Sequence, residues 1–84
     1  MNNMKLKDTV ALMESDDYKD RFKAEYYQTK IRYDKLYEMI VKYEAGTLPF
    51  TPNCSLELLK HQASAMSYYL YDLEVRAEIE KIEL

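Results

Sequence analysis

Two apolar rows, each stepping alternately by three and four residues, constrain this chain more than anything else in it. The first is Phe22, Tyr26, Thr29, Tyr33, Leu36, Ile40 and Tyr43; the second is Leu56, Leu59, Ala63, Met66, Leu70, Leu73 and Ala77. That spacing holds one stripe of an α-helix in a constant direction, as a heptad seam does. Between the rows lie Gly46, Pro49 and Pro52, which end one helix and delay the next. The fold class that follows is all-α: an antiparallel, coiled-coil-like two-helix hairpin with a short N-terminal helix, assembled as a homo-oligomer. The single helical domain, 1–84, divides into a short helix near 7–14, a long helix near 17–44, a Pro-containing loop at 46–54 and a helix near 55–82.

Each boundary has a local cause. Leu6, Val10 and Met13 fall at i, i+4 and i+7 and predict one short amphipathic helix. Ser15, Asp16 and Asp17 offer side-chain caps, and their charge suits the positive end of the long helix. Ala45-Gly46 ends that helix, Leu48 and Phe50 are available to fold back over the hairpin end, and Ser55 or Asn53 caps the last helix.

At 84 residues the chain is near the size at which one core barely offsets the entropy of ordering it. Cys54 is the only cysteine and His61 the only histidine, so neither a disulfide nor a four-ligand structural zinc site is expected to help. No metal and no cofactor are implied, and self-association is the remaining common remedy. The balance of 12 basic against 15 acidic residues argues against coating a nucleic-acid backbone, so DNA is not an expected partner. No run approaches the roughly 20 apolar residues that span a bilayer, so no membrane partner is implied either. With one thiol and no charged-then-apolar leader, a cytoplasmic location is the expectation.

Once the seam is assigned, large residues remain on the outer faces. Tyr68, Tyr71, Val75, Ile79 and Ile82 form a second stripe on the last helix, and Tyr27, Ile31 and Val41 lie off the seam of the long one. A hairpin buries one face of each helix, so this surplus calls for the N-terminal helix, another copy or a target protein. Tyr68, Tyr71, Val75, Ile79 and Ile31 are the expected oligomer interface. Nine tyrosines without a tryptophan add flat rings that serve equally in packing and as platforms for a base.

A polar row runs beside the seam: Arg21, Glu25, Gln28 and Arg32 on the long helix, and Gln62, Tyr69 and Arg76 on the last. As structure alone, it is a set of flanking salt bridges, Arg21 with Glu25 and Arg76 with Glu80, each contributing a few tenths of a kcal/mol. As a site, the guanidinium forks of Arg21, Arg32 and Arg76, gathered by oligomer formation with Tyr27 and Tyr69, hold a small anionic ligand. Both readings stand at this point. Catalysis has no support: His61 is a lone helical histidine, Cys54 sits two helical turns from it, and the carboxylates are interleaved with Lys and Arg. The chain is read as a non-enzyme.

The stretch from Asp17 to Lys35, DYKDRFKAEYYQTKIRYDK, followed by LPFTPNCSLELLKHQASAM and YLYDLEVRAEIE, resembles a group of short helical proteins encoded by phages and prophages, crAss-like phages among them. The resemblance covers nearly everything after Asp17 and implies a helical hairpin of phage origin working in the host cytoplasm. More distantly, the hairpin is similar to viral sponge proteins that sequester cyclic-nucleotide immune signals of the CBASS and Thoeris type in pockets between chains. The function this implies is a non-enzymatic counter-defence oligomer that binds a cyclic nucleotide. The rival expectation is a protein-protein module that inhibits or scaffolds a host or phage protein through its outer Tyr and aliphatic face.

Overall fold

In the computed structural model, which describes residues 4–84, a 3-10 turn (Leu6–Thr9) leads through α1 (Val10–Met13) to α2 (Tyr18–Ala45) and α3 (Leu56–Glu80). The Asp17 carboxylate accepts the Lys19 amide at 2.9 Å and the Ser55 hydroxyl accepts the Leu58 amide at 3.1 Å. Each satisfies an amide that the first turn of a helix leaves without a partner.

Both long helices end in the same hydrogen-bonded turn. Gly46 takes a left-handed conformation (φ 79°), the Gly46 amide donates to Tyr43 O at 3.1 Å and the Thr47 amide to Lys42 O at 2.9 Å. At the other end Lys81 is left-handed (φ 59°) and the Ile82 amide donates to Ala77 O at 2.9 Å. This is the six-to-one closure of a Schellman motif, and it turns Ile82 back onto Ala77. Ile82, expected on the outer stripe of α3, is therefore core.

The hairpin packs through two clusters. At the end where α2 starts and α3 finishes, Phe22, Tyr26, Leu70, Leu73, Ala77 and Ile82 are buried together. Toward the loop, Ile40, Leu59 and Ala63 are buried under Leu36, Met39, Tyr43 and Leu56. Tyr33 packs against both. The rod measures 43 × 24 × 21 Å, its long axis matching the roughly 42 Å that α2 alone would span.

The N-terminal segment packs against α2 and differs from its sequence pattern. Three residues per turn in its first half bring Thr9, not Val10, to the inner side. Thr9 is fully buried while Val10 and Met13 stay exposed. Gln28 ties the segment down: its amide donates to Thr9 Oγ1 at 3.2 Å and reaches the Met13 sulfur. Ala24 and Ile31, one turn to either side of Gln28, are buried. Ile31 is thus a correction: at 8% exposure it is covered within the chain and is not free to line an oligomer interface. At the loop, Phe50 stays exposed rather than folding back.

Candidate functional site

The helical register puts Arg21, Glu25 and Arg32 of α2 on the same flank of the hairpin as Gln62, Tyr69 and Arg76 of α3. Arg76 shows that the two rows meet. Its guanidinium donates to the Tyr18 hydroxyl at 2.7 Å and pairs with Glu80 at 3.3 Å. Tyr18 in turn donates to Glu80 at 2.9 Å, and the guanidinium lies 4.9 Å from the Phe22 ring centre. This network clasps the start of α2 to the end of α3.

Arg21 does not pair with Glu25; it donates to Ser15 O at 2.8 Å, holding the connection that precedes its own helix. Gln28 is occupied by the N-terminal segment. Tyr27 lies on the other side of α2 from Arg32, edge-on to Tyr26 with ring centres 5.4 Å apart, and packs against the core. The sequence row therefore separates into framework and free groups. Arg32 and Glu25 are exposed with side chains that make no hydrogen bond or ion pair among the described residues, Tyr69 is exposed, and Gln62 makes only a long 4.0 Å contact to the Met66 sulfur.

The opposite flank holds a feature the sequence rows do not announce. Tyr33 and Tyr37, one turn apart on α2, stack with ring centres 6.0 Å apart and planes 25° from parallel. Across from them α3 presents Ala63, Ser64 and Ser67, and the space between is a slot of about 310 Å³. Small residues facing large ones create the gap. Lys60 and Glu44 pair at 2.9 Å across its loop end, and Lys30, paired to Asp34 at 3.0 Å, lies 5.9 Å from the Tyr33 ring centre. The spacing of Tyr33 and Tyr37 against Ser64 and Ser67 was readable, but Tyr33 reads as seam and serines on a helix flank read as solvated.

A larger cavity of about 610 Å³ opens near the C-terminus, lined by Tyr26, Glu74, Glu78, Lys81 and Glu83 among others. Three carboxylates against one lysine make it unsuited to an anion. Within it the Tyr26 hydroxyl donates to Glu74 at 2.7 Å. Burial first, and then that bond to the carboxylate, pushes the Tyr26 phenol well above its ordinary range. Among the described residues no three of His, Cys, Asp and Glu are grouped to hold a metal ion, and no helix is long and apolar enough to cross a membrane.

Comparison with known proteins gives one family: the model of the family described as Sequestin matches residues 16–79. No curated protein and no solved structure matches the chain.

Proposed function

The chain belongs to the Sequestin family, and from that premise we propose that it is a non-enzymatic sequestering protein of phage counter-defence, capturing a cyclic nucleotide or oligonucleotide immune signal between the helices of a homo-oligomer in the host cytoplasm. The observation that carries the reading is the extent of the match. Residues 16–79 take in almost all of the hairpin and leave out the N-terminal segment, which supports a sequestering role carried by α2 and α3. The unpaired Arg32, with Gln62 and Tyr69 on the same flank, supplies the cation, amide and ring that an anionic nucleotide needs. Arg21, Gln28 and Arg76 serve that flank as framework.

Linkage supplies the test. A ligand bound only by the folded state at a hundred times its Kd adds about 2.7 kcal/mol of stability, and for a chain of this size that raises Tm by about 10 °C or more. Thermal melts with cyclic dinucleotides and trinucleotides should show such a rise for one of them, and Arg32→Ala should remove it. No shift with any of them at high concentration would count decisively against the reading.

A second reading rests on a different surface. Tyr68, Tyr71, Val75 and Ile79 are 72%, 63%, 39% and 73% exposed along the outer face of α3, which suits docking on a host or phage protein. That alternative gives no stabilisation by nucleotide alone.

A further inference from the structure

The N-terminal segment adds nothing to the core that holds the hairpin together. It packs against α2 alone, and neither buried cluster of the seam includes any of its residues. Its 3-10 turn (4 residues) and single α-helical turn (4 residues) fall far below the roughly 12–15 residues at which a helix holds itself together in water. Its order comes from α2. That helix does not depend on it in return, because the cap at Asp17 lies outside the segment.

What the segment changes is a surface. Beneath it lie Ala24 and Ile31, 1% and 8% exposed, on the side of α2 turned away from the seam. Its own outward side exposes Lys5, Lys7, Asp8 and Glu14 beside Val10 and Met13, so a largely charged strip replaces an apolar face. The attachment is small. Thr9 is its one buried residue, with Met4, Leu6 and Leu12 half-buried, and Gln28 reaches it from the middle of α2. The turn leading into it is built separately: Ser15 donates to Asp20 at 2.8 Å and Arg21 to Ser15 O at 2.8 Å. The segment can lift from α2 about this fixed hinge.

Symmetry gives the cover its purpose. The exposed Tyr68 and Ile79 lie on the side of α3 turned away from the seam, opposite to Ala24 and Ile31. A chain with an adhesive face on each of two opposite sides links two neighbours, and its assembly has no end unless the rotation closes. The α2 face also complements itself. Ala24 and Ile31 stand two turns apart, so a two-fold axis near Gln28 sets the small side chain of each copy against the large one of the other. Two Gln28 amides, each both donor and acceptor, then meet at the axis.

We infer that the N-terminal segment is an assembly-limiting strap: seated, it masks the Ala24–Ile31 face of α2, and lifted about Ser15 it opens that face to the same face of a second copy. The inference rests on the proposed homo-oligomer only for the contact through α3, since its own readout is the mass gained when the strap is freed.

The test is native mass spectrometry and sedimentation on the full chain, with amide exchange in residues 5–13 reporting whether the strap is seated. Thr9→Lys puts an ammonium at a fully buried position and should speed that exchange while the helical circular dichroism of α2 and α3 persists. Its mass should rise to at least about twice the native value at equal concentration, as pairing through a newly opened face requires. Leu12→Lys frees the strap from a half-buried position and should do the same. Ile31→Glu frees it too but charges the face beneath, so its mass should stay native. Native mass in both lysine variants, straps that stay protected in both, or equal growth in Ile31→Glu would each overturn the inference. A native chain of single mass that pairs in Thr9→Lys would uphold the strap while removing the native oligomer, so the two readings fail separately.

Discussion

At the scale of single residues, two side chains hold positions their chemistry resists. Lys81 occupies a left-handed conformation (φ 59°) because Ile82 is buried against Ala77 and the chain must reverse to place it there. A side chain with a Cβ bears a cost of about 1–2 kcal/mol in that conformation, partly offset by the greater unfolded freedom of glycine. Lys81→Gly is therefore expected to stabilise the fold by about 0.5–1 kcal/mol, seen as a higher urea midpoint with an unchanged slope. Tyr26 is the second case. Its phenol titrates above its ordinary value of 10.0 in the folded chain, so the protonated hydroxyl and its bond to Glu74 stabilise the fold fully below pH 10. That stability is lost as pH rises from there through the raised folded value. Tyr26→Phe, which has no proton to lose, should be less stable than the native chain at pH 7 by about 0.5–1.5 kcal/mol. Between pH 9 and pH 11 the native chain should lose stability faster than Tyr26→Phe, and parallel denaturation curves over that interval would contradict the assignment.

Elements show where sequence periodicity suffices and where it does not. The alternating three-and-four step of Phe22 to Tyr43 and Leu56 to Ala77 gives the hairpin because burial of a continuous stripe is a property of the helix alone, whatever the partner. Asp17, Gly46 and Ser55 mark ends for equally local reasons. The N-terminal segment was harder, since its 3-10 start replaces the i, i+4, i+7 face of Leu6, Val10 and Met13 by one centred on Thr9, and only contact with α2 selects that turn. The same contact removes Ile31 from the surface and occupies Gln28, so part of the expected site was illegible without it. The aromatic slot was hidden for a related reason. A cavity depends on what faces the tyrosines, and no single row records that Ser64 and Ser67 do. The segment's attachment is itself testable: Gln28→Ala removes the bond to Thr9 Oγ1, should cost about 1 kcal/mol, and should speed amide exchange in residues 5–13 well before that of α3. Uniform exchange across the chain would mean that the segment and hairpin open together.

The whole molecule carries more surface than its mass requires. A compact folded chain of 10.1 kDa exposes about 5,300 Å² by the usual scaling with mass, whereas this one exposes 6201 Å². The difference of about 900 Å² is close to the roughly 800 Å² per partner that a standard interface buries. Part of its apolar share lies along the outer face of α3, where Tyr68, Tyr71, Val75 and Ile79 are exposed. A second α3 laid along this face would cover it. The double substitution Tyr68→Glu and Val75→Glu places four like charges at the centre of such a contact while touching nothing in either buried cluster. Native mass spectrometry and sedimentation should then report a single-chain mass for the variant and a multiple for the native protein, with the helical signal of both alike. A native protein already sedimenting as one chain at high concentration would remove the oligomer from the proposal. The slot between Tyr37 and Ser64 would be unaffected, because every residue that builds it comes from one copy.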